Sequence, residues 1–270
     1  HSIGNELLGV FTVGNAVIHF LVVLVIRKKS LADQNLFYLV LGMVFVFITI
    51  AVPVQLDGHW VTLLWTGEAA LLFWIGRTKN IAVYEKISYA LMFLAFISII
   101  QDWQTVYSLY SPTNPETRLT PILNINFLTS CLFVASFLFI NILYNNKKYI
   151  FVSPSLDFFK PAATFFLPLL LFIVLYFSFI MEISTYWDQL YIDSLKEVPI
   201  EGQDYLNRYY NQDIKNFQSI WLINYSLLFF SIFSFVNIKI LKNEKIGAIF
   251  VFLNSLALFI FLTKGLYCLS

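Results

Sequence analysis

The chain has 270 residues and a net charge of +1, and 59% of its residues are hydrophobic while only 12% are charged. Its mean hydropathy is +0.75, whereas soluble domains carry about 25% charged residues. This composition excludes an ordinary soluble domain, and the small, separated basic groups form no stripe for nucleic acid. The sequence therefore predicts an all-α integral membrane protein.

Eight apolar segments are long enough to cross a bilayer, which takes about 20 residues within a range of about 17–25. We expect spans at residues 4–26, 35–52, 60–76, 81–100, 122–143, 161–181, 217–238 and 246–268. The second and third spans are joined by seven residues, so they should form a tight helical hairpin, and Pro53 should end the second helix. A bundle of about eight transmembrane helices in a single domain, residues 1–270, follows from this pattern.

The distribution of basic residues predicts the orientation of this bundle. The odd-numbered loops and their flanks carry Arg27, Lys28, Lys29, Arg77, Lys79, Lys86, Lys147, Lys148, Lys160, Lys239, Lys242 and Lys245. The second loop has no Lys or Arg, and the fourth has only Arg118. Because cytoplasmic loops are enriched in Lys and Arg, we expect the odd loops in the cytoplasm and both chain ends on the extracytoplasmic side.

The third predicted span carries a carboxylate, Glu68, near its middle. Because a charge at that depth costs several kcal/mol, such acids face a protein interior or a cavity and have partners. A rise of about 1.5 Å per residue puts Glu68 about 12 Å below the outer end of its helix. Similar counting brings Asn15, His19 and Asn254 near the midplane. These four residues are the candidate binding or coupling site.

The first predicted helix supports a polar seam, because Asn5, Thr12, Asn15 and His19 fall on one of its faces. Two interpretations of Glu68 stay open. In the first, His19 and Glu68 form a proton relay or coupling site, because both side chains titrate. In the second, a neutral Glu68 only joins neighbouring helices by hydrogen bonds, as polar side chains commonly do in membranes.

Two outer carboxylates, Asp57 and Asp102, are weak catalytic candidates just above the bilayer. A membrane-embedded transferase would hold a base or a metal ligand at that level. An ordinary Asp-Gly turn between helices explains Asp57 equally well. The cysteines and histidines have no metal-site spacing, so we expect no metal and no cofactor.

The long outer segment 182–216 combines seven acids with six Tyr or Trp residues. Aromatic residues anchor proteins at bilayer surfaces, while acids with aromatics also suit a ligand-binding lid. We expect an extracytoplasmic acidic and aromatic cap with two short helices, residues 184–196 and 203–216, separated by a break at Pro199 and Gly202.

Two stretches carry a resemblance to a known family: "AVPVQLDGHWVTLLWTGEAALLFWIG", residues 51–76, and "PILNINFLTSCLF", residues 121–133. They resemble the bacterial membrane proteins named domain of unknown function 2339, over roughly residues 35–133. Trp65, Glu68 and Asn126 fall on positions of that family's pattern. The resemblance implies a multi-pass protein of the bacterial inner (cytoplasmic) membrane and implies no activity.

Three functional hypotheses remain open, and whether the protein is an enzyme stays undecided. The first is transport or translocation of a small or envelope-related solute through the polar seam around Glu68. The second is a membrane-embedded enzyme that acts on a lipid-linked substrate at the outer face, and the third is a non-catalytic envelope scaffold. The expected partners are membrane lipids, a small solute or lipid-linked substrate, and the remainder of a longer chain, since the sequence starts without Met.

Overall fold

The computed structural model describes residues 2–29, 34–56, 58–107, 110–149, 159–199, 206–242 and 244–269. Where the sequence predicts a single domain, the contacts group into two compact units. Unit 1 comprises His1–Gln104 with Leu128–Val174, and unit 2 comprises Thr105–Phe127 with Leu175–Ser270.

The described part of the chain is mainly helical, as the composition predicts. Its long helices are α1 (Ser2–Lys29), α2 (Gln34–Gln55), α3 (His59–Lys79), α4 (Ala82–Val106), α5 (Ile125–Asn145), α6 (Lys160–Asp193), α7 (Gln212–Val236) and α8 (Glu244–Ile260). Turns of π-helix extend α7 over Asn237–Leu241 and α8 over Phe261–Gly265, and a last helical turn covers Leu266–Leu269. Short 3₁₀ turns lie at Pro115–Thr117 and Lys147–Tyr149.

Within the described residues, five helices are long and apolar enough to cross a membrane: α4, α5, α6, α7 and α8. Shorter apolar stretches, Val17–Ile26 and Val40–Ala51, lie in α1 and α2. Helix α3 is long enough but less apolar, because Glu68 and several Thr and Gly residues interrupt it. The prediction of a helical membrane protein is therefore supported at the level of five candidate spans.

Helix α2 does not end at Pro53, as the sequence predicts, but continues to Gln55. Proline lacks the N–H that would bond to the carbonyl four residues earlier, which here belongs to Thr49. The indole N–H of Trp65 in α3 donates to that carbonyl at 3.0 Å. A hydrogen bond from the neighbouring helix thus satisfies the carbonyl that Pro53 leaves free, and this is why α2 tolerates the proline.

The cap differs from its prediction at both expected short helices. Helix α6 continues without a break for 34 residues to Asp193, so residues 184–193 form no separate short helix. The expected helix over 203–216 is wrong at Leu206–Tyr209, while its end from Gln212 onwards is the start of α7. Lys196–Pro199 and Leu206–Tyr209 instead form an antiparallel pair of strands in which Glu197 lies opposite Arg208. Those two side chains form an ion pair at 3.0 Å, since directly opposed residues of a β pair are close enough to interact.

The core of unit 1 lies between α3 and α4. Ala69, Leu72 and Phe73 of α3 and Leu91 and Ala95 of α4 are at most 2% exposed. The α3 residues recur at spacings of three and four, which place them on one helix face. These side chains give the interface an apolar centre.

In unit 2, α7 packs against both α6 and α8. Tyr176 of α6 stacks on Tyr225 and Phe230 of α7, with ring centroids 5.7 and 5.2 Å apart. Asn254 of α8 reaches Ser231 and Ser234 of α7 by hydrogen bonds of 3.1 and 3.0 Å. Aromatic stacking and small polar contacts therefore hold these three helices together, as is common for helices in membranes.

Candidate functional site

Glu68 lies on the side of α3 that faces α2. Thr66 and Glu68 are two residues apart and so point about 200° apart around the helix. Thr66 is buried at 2% exposure, whereas Glu68 is partly buried and contacts Thr49 of α2. The carboxylate therefore sits beside the filled α3–α4 core and not within it.

The contact between Thr49 and Glu68 is weak by distance. The Thr49 hydroxyl lies 3.4 and 3.3 Å from the two carboxylate oxygens, beyond the 2.5–3.0 Å typical of O–H···O bonds. It also donates its one proton to the carbonyl of Phe45 at 2.8 Å. Because a hydroxyl has one proton and two lone pairs, Thr49 is better placed to accept a hydrogen bond from a protonated Glu68 than to donate one to a charged Glu68.

Trp65 fixes the position of Glu68 along α2. Its indole N–H bonds to the Thr49 carbonyl, and Glu68 follows Trp65 by three residues, on the same face of α3. The Thr49 backbone thus holds α3 while the Thr49 side chain meets Glu68. Trp65 and Thr49 are the positioning residues of this candidate site, and the sequence analysis did not identify Thr49.

The structure places His19 on a different side of α2 from Glu68. The His19 ring lies 4.9 Å from the Phe47 ring of α2, and its Nδ1 bonds to the Asn15 carbonyl at 2.9 Å. Phe47 and Thr49 are two residues apart, so they project about 200° apart around α2. His19 and Glu68 therefore contact opposite sides of α2. In this arrangement they cannot exchange a proton directly with each other. The side chains of Asn5 and Thr12 lie outside the described residues.

Asn254 belongs to unit 2. Its amide donates to Ser234 and to the Phe250 carbonyl, and its carbonyl oxygen accepts from Ser231. These contacts satisfy most of the hydrogen-bonding groups of the amide and join α7 to α8. A meeting of Asn254 with Glu68 near the midplane stays a prediction.

Of the two weak catalytic candidates, Asp57 lies outside the described residues and Asp102 is buried. The Thr62 hydroxyl donates to Asp102 Oδ2 at 2.6 Å and lies 2.7 Å from the Ser98 hydroxyl. A Cβ on Gly58, whose φ of +56° favours glycine, would lie 3.9 Å from Asp102 Oδ1. Asp102 thus lies beside the start of α3, where the helix dipole favours a negative charge. This arrangement accounts for Asp102 as a structural residue.

An ion pair that the sequence analysis did not predict lies at the opposite end of α3. Arg77 Nη2 donates to Glu85 Oε1 at 2.7 Å, and the two side chains are only 7% and 2% exposed. The Tyr89 hydroxyl donates to the same oxygen at 2.8 Å. The Arg77 guanidinium also lies over the rings of Phe73 and Tyr144, 5.2 and 4.8 Å from their centroids. Arg77 is therefore a buried, paired helix residue, although the sequence analysis counted it in a cytoplasmic loop.

The turn between α3 and α4 makes this pair possible. Asn80 adopts the left-handed conformation with φ of +56° and caps α3 through the Gly76 carbonyl. A Cβ on Gly76 would lie 2.8 Å from the backbone nitrogen of Glu85, so glycine permits the close approach of the two helices. Within the described residues, Arg77 Nε and Glu85 Oε2 have no hydrogen-bond partner.

In unit 2, Glu182 and Gln189, near the C-terminal end of α6, bind the loop that precedes α5. Glu182, 5% exposed, accepts hydrogen bonds from the Tyr107 hydroxyl at 2.6 Å, the Ile122 amide at 2.7 Å and the Asn124 side chain at 2.8 Å. The Gln189 side chain pairs with the backbone of Leu119 in both directions, at 2.9 and 3.1 Å. The loop is therefore an ordered part of the cap.

The C-terminal end of α6 adds a surface cluster. Asp193 forms an ion pair with Arg118 at 3.1 Å and accepts a hydrogen bond from the Tyr110 hydroxyl. That hydrogen bond raises the pKa of Tyr110 above its ordinary value, since it stabilises the neutral phenol beside a carboxylate. On another side of α6, Asp188 pairs with Lys215 of α7.

Across the described residues, no three His, Cys, Asp or Glu side chains are grouped so as to hold a metal ion. Four acids of the cap, Glu182, Asp188, Asp193 and Glu197, are paired with donors from the chain itself. Comparison of the chain with protein-family models, curated proteins and solved structures finds no match.

Proposed function

We propose that this protein transports or translocates a small or envelope-related solute across a membrane, and that Glu68 is the side chain that exchanges protons with, or binds, the transported species. The observation that carries this proposal is a contrast among the acids of the long helices. Glu85, Asp102 and Glu182 each accept a hydrogen bond of 2.6–2.7 Å. Within the described part of the chain, Glu68 has only the 3.3–3.4 Å contacts to Thr49.

This contrast matters because a carboxylate offers about four acceptor positions. Glu182 accepts three hydrogen bonds from the chain, and Glu85 and Asp102 each accept at least one short one, so these acids have firm partners in the fold. Glu68 retains most of its hydrogen-bonding capacity, and leaving a partly buried acid without firm partners costs free energy. Such a cost is expected at functional sites, where local stability is lost for the sake of activity. The proposed route passes between α2 and α3, beside the filled core.

The proposed setting is the bacterial inner membrane. The eight predicted spans, with both chain ends outside, add α1, α2 and α3 to the five candidate spans of the structure. The resemblance of residues 35–133 to domain of unknown function 2339 supports the same setting. Under this topology Arg77 and Glu85 lie towards the cytoplasm, and the cap of unit 2 lies outside.

Proton flux through reconstituted vesicles tests the proposal. The purified chain is placed in vesicles that contain a pH-sensitive dye, and a potassium diffusion potential set with valinomycin drives protons inward. We expect wild-type protein to acidify the lumen faster than empty vesicles, and Glu68→Gln to abolish the difference. The amide keeps the shape of the side chain, so the thermal unfolding temperature in detergent should stay near that of the wild type.

The matched control is Glu244→Gln, which makes the same chemical change at an exposed position in the first turn of α8. This variant should retain full proton flux. Normal flux in Glu68→Gln would contradict the proposed role of this carboxyl group.

The filled α3–α4 interface favours one other function, a non-catalytic envelope scaffold. A scaffold predicts that neither wild type nor variant moves protons and that Glu68→Gln is silent in every assay. The alternative enzyme on lipid-linked substrates gains no support from Asp102, because Thr62 and the start of α3 already account for that carboxylate.

A further inference from the structure

Unit 2 contains a groove of about 360 Å³ between α6, α7 and α8. This volume falls within the range of about 300–1,000 Å³ found for small-molecule sites. Eight of its ten lining residues are apolar. Ile223, Phe230 and Ala257 are at most 8% exposed and form the floor, while Leu256 and Ile260 are 45% and 38% exposed and form a rim.

The two hydroxyl groups of the groove are already satisfied. Ser226 donates to the Leu222 carbonyl at 2.8 Å, so its proton is used within α7. The Tyr176 hydroxyl lies 2.8 Å from Ser226 Oγ and donates to it. The walls therefore present no free donor to a polar solute, and they suit a hydrocarbon.

The surroundings of the groove identify the source of that hydrocarbon. All three helices that form it are long and apolar enough to span a membrane. Neighbouring side chains on α7 and α8 are also apolar and exposed, for example Leu228 at 61% and Leu258 at 50%. In a bilayer such surfaces contact acyl chains. If no acyl chain entered the groove, the groove would stay empty and its walls would lose van der Waals contacts.

A positive charge lies beyond one end of the groove. Lys264 lies in the π-helical turn that extends α8, four residues after the rim residue Ile260, so it projects from nearly the same side about one turn further along the chain. Lys264 is exposed, and its flexible stem can carry the ammonium to the membrane surface. An ammonium at this place is complementary to a lipid phosphate.

We propose that this groove is a lipid-binding site that holds one acyl chain of a membrane phospholipid, with the phosphate of the lipid near Lys264. The site is separate from Glu68, which belongs to unit 1, and the proposal does not depend on transport activity. Ordinary lipids around the protein contact all exposed faces alike, whereas a bound lipid labels the groove selectively.

Photo-crosslinking tests this difference with the wild-type chain. Phosphatidylcholine vesicles containing a minor fraction of phosphatidylglycerol, with a diazirine in the middle of its acyl chain, are irradiated and the adducts are located by peptide mass spectrometry. We expect several-fold more adducts at Leu222, Leu253 and Leu256 than at Leu228 and Leu258. Equal labelling of all five positions would overturn the proposal and leave only ordinary surrounding lipid.

Substitutions test the two ends of the site. Ala257→Phe fills the floor and should remove the groove adducts, while Leu258→Phe, which introduces the same side chain at the next, exposed position, should keep them. Lys264→Gln should lower the yield of phosphatidylglycerol adducts by about 1.5- to 5-fold, the value of one exposed ion pair. An unchanged yield would contradict the assignment of the phosphate to Lys264. If Ala257→Phe fails to fold, the wild-type adduct map still decides between a bound and a surrounding lipid.

Discussion

Removing the negative charge of Glu85 should destabilise unit 1 strongly. Glu85→Gln keeps the size of the side chain but leaves the Arg77 guanidinium, 7% exposed, as a buried cation without its counter-charge. It also replaces the charged acceptor of Tyr89 by an amide. Breaking a buried ion pair on one side costs about 3–5 kcal/mol, and we expect a loss of that size in the free energy of unfolding.

Several features of the structure favour a loss in the free energy of unfolding near the upper end of that range, about 5 kcal/mol. Within the described residues Arg77 Nε already lacks a partner, so the cation depends on Glu85 and on a weaker 3.4 Å contact to the Tyr149 carbonyl. The rings of Phe73 and Tyr144 limit the approach of water to the guanidinium. Lys79→Gln, at an exposed position of the same helix end, is the control and should change stability by less than about 0.5 kcal/mol.

The measurement is unfolding in mixed micelles, in which increasing amounts of dodecyl sulfate are added and tryptophan fluorescence is followed. A double-mutant cycle with Arg77→Met and Glu85→Met adds a second readout, because replacing both charges by apolar groups is often neutral or stabilising. The double variant should therefore be more stable than either single variant. A loss below about 1 kcal/mol for Glu85→Gln would show that water or another group solvates Arg77, and would refute the burial argument.

Two further predictions concern the cap and the topology. Glu182→Ala removes the shared acceptor of three hydrogen bonds, so it should cost about 1–3 kcal/mol and expose the loop before α5 to protease, while Glu116→Ala, at an exposed position, should do neither. Cysteines introduced at the exposed positions Lys148 and Lys242 should resist an impermeant thiol reagent added to intact cells, and a cysteine at Thr113 should react. A reactive cysteine at Lys148 would reverse the predicted orientation.

The helical fold could be predicted because length and apolar composition leave few alternatives in a membrane. The errors arose where tertiary contacts override local signals. Pro53 is a helix stop by local rules, but Trp65 supplies the missing hydrogen bond from another helix. The acids after Met181 signal the membrane surface, yet they do not end α6, because a helix leaves the bilayer without changing its backbone hydrogen bonds.

The candidate site was only partly predictable for the same reason. The depth of Glu68 follows from counting along one helix, whereas its partner depends on the alignment of α2 with α3. Arg77 and Glu85 flank a tight turn between consecutive helices, three residues before and five residues after Asn80. Opposite charges at such spacing are a usable signal for a pair across a helical hairpin, but the loop-charge count assigned Arg77 to the solvent instead.

The surroundings of Glu68 follow from a chain of local requirements that begins with Pro53. Because proline has no N–H, the Thr49 carbonyl is free to accept the Trp65 indole, and this bond aligns α3 with α2. The alignment then brings Glu68, one turn further along α3, in front of the Thr49 hydroxyl. That hydroxyl is committed to the Phe45 carbonyl, so it meets the carboxyl group without satisfying it. The same contacts that hold α3 in place therefore leave its central acid with spare hydrogen-bonding capacity among the described residues, and this is the property on which the proposed coupling role of Glu68 depends.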